Sequence, residues 1–280
     1  MTQGSLFGPR EDGPEPKSAS DRPVQLRVLI TVKAAPNPSE KYGETVCVAG
    51  LSVDLTRRGW VRLYPINFRE LGVQESFRKY DVVTVDAVPA RQDPRNESWR
   101  PIAGTLQVEH HLDPWKPRRS WLDPYVEDSM CALNRNARTS ASSQSLALVR
   151  PREVLGLEIA PHPGWTPDEQ KKIKAYESQL DLFEQKADRS PLEAPRYKGA
   201  YRYLCHAKEC GTHRQGLLDW EFVALQRKLG GYDDDAARRE LTTRFFAQMC
   251  AQDREVAFYV GNQAKRAHVF SVLGVYYPKR

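Results

Sequence analysis

Four short runs rich in β-branched residues, each ended by turn-forming residues, constrain the first third of this chain more than any other feature. The first is Leu26-Arg27-Val28-Leu29-Ile30-Thr31-Val32, followed by two prolines, Asn37 and Gly43. Thr45-Val46-Cys47-Val48-Ala49-Gly50 comes next, then Trp60-Val61-Arg62-Leu63-Tyr64-Pro65 after Arg58-Gly59, then Tyr80 through Val88. β-Branched and aromatic runs of this length read as strands, and Gly, Pro, Asn and Asp between them read as turns. Short strands spaced in this way predict a small antiparallel barrel rather than a parallel α/β sheet.

Ser145 to Val149 and Val154 to Ile159 read as two more strands that close this module, so the first domain is expected over residues 25–160. Residues 1–24 are rich in Gly, Pro, Ser and charge and are expected to be a disordered tail. Residues 134–144 read as an exposed loop. PHPGWT at 161–166 marks a junction, and residues 161–280 are expected to form a mixed α+β domain. Its first helix begins with Thr166 as cap, Pro167 in the first turn and Glu169 three residues past the cap, and its apolar face is Ile173, Tyr176, Leu180 and Phe183. Further helices are expected over 216–229 and 236–252, then two closing strands joined near a tight turn at Gly261-Asn262. The fold class is thus α+β, an OB-like antiparallel barrel followed by a mixed domain with a candidate zinc site.

Side chains alternate across a strand, so Trp60, Arg62 and Tyr64 share one face while Val61 and Leu63 take the other. An aromatic–arginine–aromatic face suits base stacking and phosphate contact. Equally, Val61 and Leu63 facing the core would leave the aromatics covering a barrel edge. The motifs Cys47-Val48-Ala49-Gly50, Gly59-Trp60-Val61-Arg62 and Asn96-Glu97-Ser98 together resemble those of the prokaryotic dual OB-fold domain proteins over residues 25–160. Leu63-Tyr64-Pro65 departs from that family's pattern. The resemblance implies a pair of OB-type barrels that bind nucleic acid or a nucleotide within antiviral defence systems, with protein partners in a defence complex. Arg95 and Arg100 around Trp99, and Lys265 and Arg266 near the last turn, are further candidates for phosphate contact. A solvated ion-pair loop and a solvated turn are the plainer readings of those two segments.

Cys205-His206-Ala207-Lys208-Glu209-Cys210-Gly211-Thr212-His213 is the strongest chemical signal. Two thiolates and an imidazole in so short a run can reach one zinc ion, which takes four N or S donors. His206, Asp219, Glu221 and Cys250 are the candidates for the fourth, with Cys250 preferred because the last helix can pack beside the loop. The alternative is that the cysteines are small buried apolar residues. A sharper idea joins His213, Asp219 and Glu221 into a metal-dependent nuclease centre. Carboxylates two apart on a helix point about 200° apart, which counts against it. The stretch CHAKECGTH, with LDWE, FYVGN and FSVLGVYYP, resembles bacterial proteins to which no activity attaches, and it implies no mechanism.

The net charge of +6 is compatible with a nucleic-acid partner. Five cysteines, an odd number, in a chain that opens without a basic start and apolar block point to a reducing, cytoplasmic setting with no membrane span. No Gly-rich phosphate loop, GxSxG elbow or kinase signature occurs. Nucleic-acid or nucleotide binding is therefore the leading expectation, with a metal-dependent nuclease and a protein-interaction scaffold as the alternatives.

Overall fold

The computed structural model describes residues 14–54, 58–67, 71, 76–140, 142–182 and 192–280. The first part is a closed barrel. Strands β1 (Val24–Lys33), β2 (Asn37–Ser39), β3 (Gly43–Ser52), β4 (Trp60–Ile66), β5 (Asp81–Pro89), β6 (Ser98–Pro101) and β7 (Gln107–His111) follow one another in sequence. Five of them close in the order β1-β3-β4-β6-β5 and back to β1, with β2 added to β3 and β7 to β5. The β4–β6 step is parallel, so the barrel is mixed where a wholly antiparallel one was expected. Only a parallel step lets β6, which follows β5 directly, close the gap between β5 and β4. Leu26, Val28 and Ile30 of β1, Val48 of β3, and Val61 and Leu63 of β4 fill the interior, as the period of two requires. Gly50 gives β3 room against β1, because a Cβ there would lie 2.2 Å from the Leu29 carbonyl oxygen.

After the barrel come α1 (Lys116–Leu122), β8 (Val126–Glu127), α2 (Met130–Thr139), β9 (Leu146–Val149), β10 (Glu153–Pro161), α3 (Pro167–Leu182), β11 (Tyr197–Leu204), β12 (His213–Leu217), α4 (Trp220–Lys228), α5 (Asp234–Thr242), β13 (Ala257–Gln263) and β14 (Arg266–Tyr276). A second sheet runs β10-β11-β12-β14-β13-β9-β8. The strands at 146–149 and 153–161 therefore belong to this sheet and do not close the barrel, which overturns the expected boundary at residue 160. The cause is visible in β9: Leu146 and Leu148 face the barrel while Ala147 and Val149 face the helices, so all four are buried. β13 alternates likewise, with Ala257 and Tyr259 toward the barrel and Phe258 and Val260 toward α2, α4 and α5. The molecule is thus layered as barrel, sheet, helices.

Several local expectations change. The loop expected over 134–144 is mostly α2, capped by Ser129, whose hydroxyl accepts from the Ala132 N–H. The helix expected from residue 216 starts at Trp220, after β12. The expected turn at Gly261-Asn262 is strand, and the chain reverses at residues 264–265. The capping box of α3 forms as predicted: Glu169 accepts from the Thr166 N–H and hydroxyl, and Thr166 Oγ1 accepts from the Glu169 N–H. Tyr176 of α3 lies against Gly43. Phe183 and the side chain of Leu180 lie outside the described residues. So does the tail over 1–13, whereas residues 18–21 lie against the barrel, their carbonyls and Asp21 accepting from Arg91.

One buried polar clamp joins barrel to sheet. Arg62 Nη2 donates to the carbonyl and hydroxyl of Ser145 at 3.2 and 3.1 Å. Ser145 in turn donates through its N–H and Oγ to the two carboxylate oxygens of Glu97, at 2.7 and 2.9 Å. All three residues are buried. Loss of the Ser145 hydroxyl leaves a buried carboxylate oxygen and a guanidinium short of a partner. Ser145→Ala is therefore expected to cost about 2 kcal/mol of stability, read as a lowered urea midpoint with unchanged slope.

Candidate metal centre and barrel cleft

A hairpin and a helix start build the cysteine–histidine cluster. Cys205 directly follows β11, a turn carries Cys210, and β12 opens with His213. Register pairs His213 with Tyr203, and their rings pack 5.2 Å apart. Tyr203 is itself fixed by donating to Gln215 Oε1 at 2.7 Å. The fourth group is Cys131, in the first turn of α2, brought in because the His206 N–H donates to the Asp128 carbonyl at 2.9 Å. The donor atoms of Cys131, Cys205, Cys210 and His213 all lie within 4.8 Å of one another. Cys205 Sγ is 3.6 Å from Cys131 Sγ and 3.4 Å from Cys210 Sγ. His213 Nε2 is 3.2, 3.4 and 3.5 Å from the sulfurs of Cys210, Cys205 and Cys131. A disulfide needs about 2.05 Å, so the thiols are free.

These four groups can hold a metal ion. Burial and the neighbouring thiols push the Cys131 thiol up. Burial would raise Cys205 too, but backbone hydrogen bonds and those of His213 and Cys210 outweigh it and bring that thiol down. The expected fourth ligand, Cys250, is elsewhere: its thiol faces the Phe245 carbonyl at 3.8 Å, and burial pushes it up to about 12. No spacing rule reaches Cys131 from Cys205. The available signals were Ser129 as a helix cap and Met130, Leu133 and Ala137 on one helical face.

His213, Asp219 and Glu221 do not converge. At about 3.3 Å per residue, β12 alone carries the chain about 13 Å away from His213 before Asp219 is reached. Asp219 caps α4, accepting from the Glu221 N–H at 2.8 Å. Burial raises its carboxyl to about 7, against the opposing charge of Lys79.

The expected face of β4 exists but is divided. Trp60, Arg62 and Tyr64 do point outward from the barrel, as the alternation requires, yet the second sheet covers the first two. Trp60 packs edge-on against Tyr125 and Tyr259, at 6.1 and 6.3 Å between ring centroids. Arg62 is held in the clamp and is only 3% exposed. Tyr64 alone stays open, at 46% exposure, with its hydroxyl 3.2 Å from Thr45 Oγ1. It lines a cleft of about 520 Å³ together with Arg91, Arg95, Ser98, Arg100 and Ala264. Arg95 is committed within the protein, donating to both Asp93 oxygens and to the Asn262 carbonyl at 2.8 Å. It positions the 90–97 loop against β13. Arg100, Lys265 and Arg266 are exposed, and the last two adjoin Ala264 at the cleft's edge. Arg91 was not foreseen; one arginine in a loop gives no periodic signal.

Barrel, covering sheet and Cys₃His cluster define a two-part α+β protein, with no helix among the described residues long and apolar enough to cross a membrane. Residues 126–280 match the family described as Domain of unknown function (DUF8757), and the chain belongs to that family. Residues 24–124 match the Domain of unknown function (DUF8758), so the two matches meet between α1 and β8. No curated protein matches the chain.

Cys131→Ser is expected to drop the metal content of the purified protein from about one ion per chain to well below half, while Cys250→Ser leaves it unchanged. Elemental mass spectrometry of both variants reads this directly.

Proposed function

We propose that the protein binds single-stranded nucleic acid in the barrel cleft beside Tyr64, and that a structural zinc ion fastens its second part. The observation that carries the first claim is an exposed aromatic at the lip of an arginine-lined cleft. A phenol ring offers a stacking face to any base, and Arg100, with Lys265 and Arg266 alongside, offers charge to the phosphates, while Arg91 lines the cleft paired with Asp21. The strand order supports an OB-type barrel, five strands closed as a Greek key. In such barrels ligands lie on the second and third strands and the loop between the fourth and fifth. Here those are β3, β4 and residues 90–97, of which the end of β4 and the 90–97 loop line this cleft. The covering sheet takes half of that surface, which leaves room for a short segment of strand.

The zinc reading rests on donor set and spacing. Zinc bonds of about 2.3 Å to sulfur and about 2.0 Å to nitrogen give tetrahedral edges of about 3.8 Å between sulfurs and about 3.5 Å from sulfur to nitrogen. The cluster's separations of 3.4 and 3.6 Å, and of 3.2 to 3.5 Å, fall within a few tenths of these. Soft thiolates favour zinc over the hard cations. Four protein donors leave no open position, so the ion would serve structure and not hydrolysis.

Fluorescence anisotropy with a labelled oligo(dT) or oligo(rU) tests the binding site. Tyr64→Ala is expected to weaken affinity roughly 5- to 100-fold. Arg100→Glu should weaken it and flatten its salt dependence. An absence of binding by the parent at low salt would contradict the reading.

A further inference from the structure

A second cleft, of about 480 Å³, opens between the end of β1, residues 77–79 of the barrel and helix α4 with the turns that follow α5. That volume lies in the range of small-molecule sites, which favour junctions between structural units. Part of its wall is apolar: Phe245, Met249 and Leu273 line it and are all but fully buried. Two opposite charges sit among them. Lys79 Nζ has a single weak hydrogen bond, 3.4 Å from the Val275 carbonyl oxygen. Asp219 Oδ1 is taken by the Glu221 N–H. Its other oxygen and Lys79 Nζ converge over Gly274, where a Cβ would lie 3.3 Å from the one and 3.2 Å from the other. A glycine inside the apolar strand β14 thus makes the space in which the two charges meet.

Backbone strain marks the same place. Tyr80, directly after Lys79, has φ of 71°, the one positive φ of a non-glycine residue among the described residues. A bulky side chain in that region is held at a cost, and such residues gather at binding and catalytic sites. The rim differs in character from the floor. Arg78, Lys228 and Arg244 are exposed there, and Glu221 and Glu240 offset part of their charge.

We infer that this cleft binds a nucleoside monophosphate, base first. The floor offers a hydrogen-bond donor, Lys79, beside an acceptor, Asp219, which matches the adjacent acceptor and donor on the edge of a nucleobase. The apolar part of the wall accommodates the flat ring, and the cationic rim meets the phosphate. This site is separate from the Tyr64 cleft and does not depend on oligonucleotide binding there.

Isothermal titration of the full chain with AMP, CMP, GMP and UMP, with the parent nucleosides and inorganic phosphate as further probes, tests the inference. At least one monophosphate is expected to bind in the micromolar range, more tightly than its nucleoside and far more tightly than phosphate. Arg244→Glu, at an exposed position, should weaken the monophosphate at least tenfold and leave the nucleoside within twofold. Asp219→Asn, which retains a helix-capping side chain, should weaken both at least tenfold. Oligo(dT) affinity, measured in parallel, should stay within twofold in both variants. The inference is overturned if no monophosphate gives heat at millimolar concentration, if phosphate alone binds as well, or if Arg244→Glu binds as the parent does.

Discussion

The outer face of the barrel is buried by the second sheet, and the remaining architecture follows from that contact. Trp60 enters an aromatic pocket made by Tyr125 and Tyr259, and Arg62 reaches Ser145 and through it Glu97. A charged side chain taken from water in this way needs its hydrogen bonds met. Ser145, at the entry to β9, meets part of that need, accepting from Arg62 Nη2 and donating to Glu97, while Arg62 Nε is buried without a partner. Where β9 and β13 lie, the sheet is apolar on both faces because it must cover the barrel on one and receive the helices on the other. That demand explains the four consecutive apolar residues of β9 and the run from Ala257 to Val260 in β13.

Burial of Trp60 and Arg62 also decides where function can lie. The barrel strand that carries them gives its first half to the interface and leaves Tyr64 at the open end. The loop over 90–97 is anchored by Arg95, which donates to Asp93 and Asn262, and by Arg91, which ties it to residues 18–21, whereas Arg100 is exposed. On the far side of the second sheet, the Cys₃His cluster ties the start of α2 to the β11–β12 hairpin. It joins segments more than seventy residues apart in sequence, a closure whose entropic cost an ion's bonds would offset.

Much of the local structure was legible in the sequence because it is set by short-range rules. Strands β1, β3, β4 and β5 followed from β-branched runs and turn residues, the inward and outward faces of β4 from the period of two, and the start of α3 from Thr166 and Glu169, whereas the short closing strand β6 carries no such run. What neighbours each face was not legible. Alternation says that Trp60 and Arg62 share a side; it cannot say whether water or another sheet lies there. The strand Leu146–Val149 was visible, but its sheet was not, although a run apolar on both faces signals a strand covered twice. Cys131 escaped for a related reason. Cys205, Cys210 and His213 come from one turn and announce themselves by spacing, whereas the fourth donor arrives through tertiary packing of a helix whose polar, serine-rich end reads as loop.

The central functional claim is that the half of β4 left uncovered, with the 90–97 loop and the last turn, is the surface that meets nucleic acid. Hydrogen–deuterium exchange of the full chain with and without oligo(dT) tests it most directly. The account predicts slowed exchange concentrated in residues 62–66, 90–101 and 262–267, with the β11–β12 hairpin unchanged. Slowing confined to other elements, with those three segments unaffected by saturating oligonucleotide, would contradict it.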